Sequence, residues 1–391
     1  MIKKMKLKDV GTIITGNTPS KKNEEYYNSN DINFFTPTDF KDGRINKFKE
    51  SVNYISNNAK GKARILPEGS VLVTCIGIIG KVGIIEQESA FNQQINAVIP
   101  NKDIIDNRYL AYWLISKADV LRKKANAPVV PIINKTDFQE LEIDVPNIEA
   151  QKEIVNKLNK IQKLIDIKEE QKCLYEDLIK AQFVEMFGDP NINNKKFKKV
   201  NLKNCLINID NGKSFVCESF PRKNEYPAIL KLSAVTYGYY DQDENKALID
   251  EDMYIPSVVV KQGDLLFTRK NTPELVGMSA YVYNTKPNLM LPDLIFRLNT
   301  TDICNKVYLW KLINHKTFRK NITQISNGSA KSMSNISKAN LMNLEIILPP
   351  IELQNEFARL VEKVERQKEQ VKRNLEEIKT LKNEVMNQYF N

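Results

Sequence analysis

Histidine is nearly missing from this sequence: His315 is the only one among 391 residues. A histidine-based triad or a zinc enzyme therefore has little material. His315 stands beside Lys316 in a predicted helix, where it reads as a surface side chain. Cysteine is sparse and irregular. Cys75, Cys173, Cys205, Cys217 and Cys304 contain no CxxC pair or metal-finger spacing, and their odd number argues against a disulfide framework. A reducing, cytoplasmic setting is expected. Long apolar runs are absent too: nothing approaches the roughly 18 residues of a membrane span, and Met1 to Val10 is basic without the apolar core of a signal peptide. No membrane partner is expected. Glycine forms no cofactor loop. Gly77-Ile-Ile-Gly80-Lys81 falls two residues short of the nucleotide-binding pattern and is followed by Val82, so it reads as a hairpin turn. Glu377-Ile-Lys379 has a nuclease-like spacing, but Glu and Lys recur throughout that run, as on a solvated helix face.

What the chain does have is length, positive charge and a duplication. Its length suits two domains of ordinary size with connecting elements. With 58 Lys+Arg against 48 Asp+Glu the net charge is +10, which favours a polyanionic partner.

The duplication is clearest at Asp144-Val-Pro-Asn-Ile-Glu-Ala-Gln151-Lys-Glu153, echoed by Ile347-Leu-Pro-Pro-Ile-Glu-Leu-Gln354-Asn-Glu356. Pro146 maps onto Pro349 and Gln151 onto Gln354, and the same separation carries Phe187 onto Phe390. Upstream, Leu66-Pro-Glu-Gly-Ser-Val-Leu-Val-Thr74 resembles Val260-Lys-Gln-Gly-Asp-Leu-Leu-Phe-Thr268, and Tyr109-Leu-Ala-Tyr-Trp-Leu114 resembles Tyr308-Leu-Trp-Lys-Leu-Ile313. One architecture is used twice.

Each repeat closes in a polar, nearly Gly-free run predicted as one long helix, roughly Glu149 to Phe187 and Glu352 to Phe390, with Pro146, Pro349 and Pro350 placed before the starts. Apolar residues recur at steps of three and four: Ile154, Leu158, Ile161, Ile165, Tyr175, Leu178 and Met186 in the first run. In the second they are Phe357, Leu360, Val364, Val371, Leu375, Ile378, Leu381 and Val385. Each narrow stripe needs a partner; the simplest solution is that the two helices pack on each other, antiparallel by the two-fold pseudo-symmetry of the repeats, and the alternative is two unrelated amphipathic helices each lying on its own domain. Residues 147–188 and 351–391 together hold 15 Lys+Arg against 16 Asp+Glu, leaving 43 against 32 in the remainder. The positive field belongs to the globular parts.

Those parts mix short apolar runs with Gly, Pro, Asn and Asp. Val71 to Ile76 and Gly80 to Ile85 read as strands joined by a tight turn, and Arg108 to Ala125 as a helix. In the second half, Asp264 to Thr268 and Met278 to Tyr283 read as strands and Tyr308 to Ile322 as a helix. The fold class expected is α+β: two globular domains, residues 1–146 and 189–349, each followed by a long helix, residues 147–188 and 350–391, the helices forming an antiparallel coiled coil.

Polar loops supply candidate DNA contacts. Gly16-Asn-Thr-Pro-Ser-Lys-Lys22 offers Thr18, Ser20, Lys21 and Lys22. Asn92, Gln93 and Gln94 offer amides suited to adenine, and Lys81 follows a turn glycine. In the second half the candidates are Lys213, then Arg269, Lys270 and Asn271 after an apolar strand, and Ser329 and Lys331 in a loop equivalent to Ala127-Pro-Val-Val-Pro131. Each of these has the composition of an unliganded surface turn as well.

Taken together, Gly16-Asn-Thr-Pro19, the Leu66-to-Val73 run followed by Gly80-Lys-Val82, Asn92-Gln-Gln-Ile95 and the twice-used Pro…Glu…Gln…Glu helix start resemble the specificity subunit of type I restriction-modification systems. The resemblance covers the whole chain. It implies a non-catalytic chain whose two target-recognition domains each read half of a bipartite, asymmetric site on double-stranded DNA, with helix length setting the spacer. It also implies two modification subunits and, in the full complex, restriction subunits as partners. S-adenosylmethionine, ATP and Mg²⁺ belong to those partners, and no cofactor to this chain. Two departures stand out: the second half reads Asn211-Gly-Lys-Ser214 in place of Gly-x-Thr-Pro, and Thr268-Arg269-Lys270 shows no counterpart of Gly80-Lys81. The alternatives are a coiled-coil scaffold without sequence-specific DNA binding, which leaves the basic domains unexplained, and a self-sufficient nuclease or methyltransferase. The latter lacks an Asn-Pro-Pro-aromatic or Asp-Pro-Pro-aromatic run.

Overall fold

The computed structural model describes residues 2–125, 131–326 and 333–390. The chain divides into two compact α+β units, Met1–Glu170 with Lys372–Asn391, and Gln171–Val371. Both polar runs are helices, Ile148–Phe187 and Ile351–Phe390. The division between units falls inside both of them, so each unit contains the start of one long helix and the end of the other.

In the first unit a five-stranded sheet runs in the order Gly11–Thr15, Ile95–Pro100, Val71–Thr74, Val82–Ile85, Ile45–Phe48. A four-stranded sheet follows the order Asn53–Ile55, Ile32–Phe35, Ser89–Phe91, Ile65–Leu66. The larger sheet is covered on both faces, which is why its central strand reads as an unbroken apolar run. Val71 and Val73 face a core with Tyr109, Leu110 and Trp113 of the helix Asn107–Ser116, while Leu72 faces Phe35, Phe48 and Phe91.

The second unit repeats this plan. Strands Leu206–Asn211, Ile295–Thr300, Leu265–Thr268 and Ser279–Tyr281 form one sheet, and Asn245–Ala247, Ala228–Leu230 and Leu289–Met290 another. Leu265 and Phe267 point to one core and Leu266 to the other. A parallel pairing between corresponding strands recurs in both units, Ile32–Phe35 with Ser89–Phe91 and Ala228–Leu230 with Leu289–Met290, and the first unit has a further one, Ile45–Phe48 with Val82–Ile85.

The helices predicted after these strands are shorter than expected, because each is two. The first breaks at Lys117 into Asn107–Ser116 and Ala118–Lys124; the second stops at Ile313 and resumes as Arg319–Gln324. In the second break Asn314 bonds strand residue Ser279 three times, accepting from its N–H at 3.0 Å and its hydroxyl at 3.2 Å and donating to its carbonyl at 2.7 Å. His315 is therefore neither helical nor a free surface group. It stacks on Phe183 at 5.0 Å, its Nδ1 lies 2.9 Å from Thr317 Oγ1, and burial lowers its pKa against the opposing pull of Asp189.

The repeated glutamine has a structural role that its spacing alone did not reveal. Gln151 is fully buried; its Oε1 accepts from Asp106 N–H at 2.8 Å and its Nε2 donates to the carbonyls of Ile104 at 2.9 Å and Pro146 at 2.8 Å. Gln354 does the same with Asn305 N–H at 2.9 Å, Ile303 O at 3.2 Å and Pro349 O at 2.7 Å. One side chain thus joins the first turn of a long helix, the proline before it and the loop that caps the domain's own helix. A matching tyrosine closes each junction: Tyr109 Oη donates to Asp144 O and Tyr308 Oη to Ile347 O, both at 2.8 Å. The aromatic ends of the long helices land on these tyrosines, Phe390 on Tyr109 at 5.3 Å and Phe187 on Tyr308 at 4.9 Å.

The helices pair antiparallel in each unit. In the first, Lys157 meets Tyr389 and Gln162 meets Lys382; in the second, Glu176 meets Lys368 and Phe187 meets Phe357. The buried stripe departs from the predicted one near the far end of each helix. Leu178 and Leu381 are about half exposed, while Ile179, Phe183, Lys382 and Met386 are buried. A straight helix of 3.6 residues per turn drifts against a strict 3.5 repeat, and the far end of each helix packs on a different unit from its start. Lys382 then sits in the seam, donating to Gly43 O at 2.8 Å and Gln162 Oε1 at 2.7 Å. Burial pulls its pKa down to about 8, with Arg44 adding to the shift and Asp166 opposing it.

Two outcomes follow. Gln354→Leu leaves one N–H and two carbonyls without a partner and lowers stability by about 3 kcal/mol or more, read as a shifted urea midpoint; an unmoved midpoint removes the glutamine from its structural role. The depressed Lys382 ammonium makes the folded state release a proton near pH 8 that the unfolded chain keeps until about pH 10.5. Unfolding then takes up a proton, so the Lys382 contribution to stability rises from pH 8 to pH 10.5. Urea titrations of the wild type against Lys382→Met should diverge over that window, by an amount on the order of 3 kcal/mol. Parallel pH profiles would contradict it.

Candidate nucleic-acid interface

In the first unit the two polar loops singled out by sequence lie against each other. Gly16 N–H donates to Ile95 O at 3.0 Å and Asn17 N–H to Phe91 O at 3.1 Å. The approach needs glycine: a Cβ on Gly16 would stand 2.0 Å from Asn92 O. Thr18 Oγ1 donates to Gln93 Oε1 at 2.6 Å, tying the hydroxyl of one loop to the amide of the other. Asn92 itself is buried and turned inward, bonded to Gln94 through Nδ2 at 2.9 Å and Oδ1 at 3.1 Å. Gln93 is exposed, as are Ser20, Lys21 and Lys22. Lys81 is not hydrogen-bonded to this pair of loops; its Nζ donates to Phe40 O at 2.9 Å.

Sequence reasoning missed Lys62 and Arg64. The Asn17 amide reaches Lys62 O at 2.6 Å and accepts from Arg64 N–H at 2.8 Å, and the Arg64 guanidinium donates to Thr15 O. Both are exposed. No local pattern marks them, since they lie more than forty residues from the loop they join.

The second unit contains the same backbone device with different side chains. Gly212 replaces Gly16, its Cβ position lying 2.0 Å from Pro292 O, and Lys213 exchanges hydrogen bonds with Leu291 O and Asp293 N–H at 3.1 and 3.0 Å. So Gly-Lys-Ser stands where the first half has Gly-Asn-Thr. The missing Gly-Lys pair is half present. Gly277 N–H donates to Thr268 O at 2.8 Å as Gly80 N–H does to Thr74 O at 2.9 Å, both glycines having positive φ, 72° and 88°. Met278 takes the place of Lys81, and a longer loop hides the correspondence in sequence. An arginine holds each turn from behind: Arg122 on Ile79 O at 3.3 Å, Arg319 on Gly277 O at 2.9 Å.

Of the second-half candidates, Lys213 and Lys270 are exposed. Arg269 lies over the Phe296 ring at 5.1 Å with its Nε 3.3 Å from Asn335 Oδ1, and Asn271 is buried against Thr236 Oγ1 at 3.1 Å. Lys338, not foreseen, approaches the same ring at 5.7 Å and donates to Ile209 O at 2.6 Å. Ser329, Lys331 and the equivalent loop residues 126–130 lie outside the described residues. Among the described residues, Lys21, Lys22, Lys62, Lys213 and Lys270 form no ion pair with a carboxylate.

Little else in these units carries chemistry. Among the described residues no group of three or more His, Cys, Asp or Glu side chains could hold a metal ion, and no helix is long and apolar enough to cross a membrane. All five cysteines are free thiols; burial pushes that of Cys75 up to about 12.

A family model described as the type I restriction modification DNA specificity domain matches residues 2–173. Residues 2–173 are thus similar to that specificity domain. The chain is 35% identical over 152 residues to the Escherichia coli EcoEI type I restriction enzyme specificity subunit, an alignment covering 38% of this chain and 25% of that protein. The chain thus spans a quarter of that relative's length. A second relative, the MjaVIII specificity subunit of Methanocaldococcus jannaschii, is 24% identical across 89% of this chain and 82% of its own length. The fold matches the crystal structure of a type I restriction-modification S subunit from M. genitalium with a TM-score of 0.60, at 12% identity, over all of this chain and 96% of that one.

Charge predicts the outcome of neutralising this surface. Replacing Lys21, Lys22 and Lys62 by Ala should weaken binding to any duplex and reduce the slope of log K against log salt by about one for each phosphate contact removed. A salt slope equal to that of the unaltered protein takes these residues off the interface.

Proposed function

We propose that this chain is the DNA-reading specificity subunit of a type I restriction-modification enzyme. It recognises a bipartite, asymmetric duplex site and docks modification and restriction subunits. The observation that supports this best is one glycine-tightened polar loop device occurring in both units, edged by unpaired lysines and bearing different side chains in each. Identical backbones hold the readers in place, and different side chains give the two half-sites different bases. The candidates Thr18, Gln93, Lys21 and Lys22 in the first unit, and Lys213, Arg269 and Lys270 in the second, make these contacts. Asn92, Asn271 and Lys81 instead keep the loops in shape through the bonds described above.

The chain works without a catalytic centre or cofactor of its own, in the cytoplasm. S-adenosylmethionine for adenine methylation, and ATP and Mg²⁺ for translocation and cleavage, are held by the partner subunits. The long helices present apolar side chains to those partners; in the second unit Leu174 and Leu178 are 60% and 46% exposed one turn apart on one helix face.

Methylome sequencing of cells expressing this chain with its modification subunit should yield a split adenine-methylated motif. An unsplit motif, or none, refutes the reading, and DNA turnover by the isolated chain would favour an enzyme instead. Inserting four residues beside Glu169 should lengthen the accepted spacer between half-sites and leave the bases unchanged. A changed half-site would count against the helices as spacers.

A further inference from the structure

One cavity in the second unit has none of the residues assigned to DNA in its lining. It is an open hollow of about 840 Å³ with Phe220, Tyr226, Ile249 and Tyr254 among its walls. Phe220 and Ile249 are 50% and 52% exposed, so large apolar groups lie open to water on one contiguous surface. The walls are firmly built. Asn288, at a positive φ of 59°, donates to Glu225 O at 3.0 Å and accepts from Tyr254 Oη at 3.3 Å. The segment carrying Glu218 and Phe220 is laced to strand Asn245–Ala247 by Glu218 N–H to Ala247 O at 2.9 Å and Ala247 N–H to Phe220 O at 3.1 Å.

Charge identifies what fits. Glu218, Glu225 and Glu251 line the hollow against one cation, Lys223. Among the described residues none of these three glutamates forms an ion pair, although the chain carries ten more cations than anions. Their field reaches inside: the half-buried Tyr226 hydroxyl is raised in pKa by burial, then by Glu251, Asp250 and Glu218. A phosphate backbone would be repelled here. An ammonium or guanidinium would gain three carboxylates and two tyrosine faces, while its neighbouring apolar side chain covered Phe220 and Ile249.

We propose that this hollow binds a basic peptide segment of another protein, a Lys or Arg side chain flanked by a large apolar one. Its walls include none of the residues assigned to DNA, so it places a protein contact on the recognition unit in addition to those of the long helices.

The test is fluorescence anisotropy with the labelled peptide Arg-Leu-Arg-Phe-Arg and the full chain, in the absence of DNA. Binding should weaken about tenfold in the double variant Glu225→Gln/Glu251→Gln and by a similar factor in Phe220→Ser. It should also fall with added salt. A control peptide with Gln in place of each Arg should not bind. Duplex affinity measured separately should be the same in all variants, which also establishes that they are folded. Equal peptide binding by wild type and variants, binding of the Gln peptide, or no binding at all overturns the proposal. Loss of DNA affinity in the variants would assign the hollow to DNA and overturn it too, as would salt-sensitive self-association abolished by the same substitutions. A wild-type chain that binds the peptide but no DNA would overturn the DNA-reading function and leave this site standing.

Discussion

Two buried glutamines hold this protein's architecture together. Each places a carboxamide in the angle where a strand ends, a proline turns the chain and a long helix begins, and each uses both ends of that carboxamide on backbone groups of the junction. Burying an amide costs free energy unless its hydrogen bonds are made, so the position tolerates little else, and the geometry of the junction follows from the bonds. The start of each long helix is therefore set by a domain core and does not swivel freely. Everything the long helices do afterwards depends on the direction they are given there.

The second constraint is the exchange of helix ends. Phe187 and Phe390, each closing the repeat in which it lies, pack on the tyrosine of the other repeat's junction. A single repeat of the sequence thus lacks part of a core, which is completed by the end of the long helix of the other repeat. This explains why duplication suits the fold: two copies in one chain complete each other's cores without a second molecule. Polar side chains that meet across the helix seams, Lys382 with Gln162 in one unit and Lys368 with Glu176 in the other, differ between the units. Unlike polar pairs of this sort discourage alternative registers of otherwise similar apolar stripes.

Function rests on dividing constant from variable positions. Gly16 and Gly212 permit the same close approach of loop to strand end, and Gly80 and Gly277 the same left-handed turn. Those backbones are common to both units, whereas Asn-Thr-Pro against Lys-Ser-Phe, and Lys81 against Met278, are not. A surface built this way changes what it reads by exchanging side chains on a fixed frame.

Periodicity and repetition were legible in the amino-acid sequence: the α+β class, two long helices, the strand–turn–strand at Val71 to Ile85, and the likeness to a known family. Hydrophobic period and duplicated motifs are local properties, and local order carries them. The stripe, however, gained Lys382 and lost Leu381, because helix phase over forty residues depends on which surface each turn meets. Lys62 and Arg64 joined the Gly16 loop through hydrogen bonds that no neighbouring residue announces, and Gly277 proved to be the partner of Gly80 only once its N–H was seen on Thr268. The nature of the elements was thus written in the sequence. Which side chains share a surface was decided by the tertiary structure, because proximity across a sheet or a helix seam arises from packing between segments far apart in the chain.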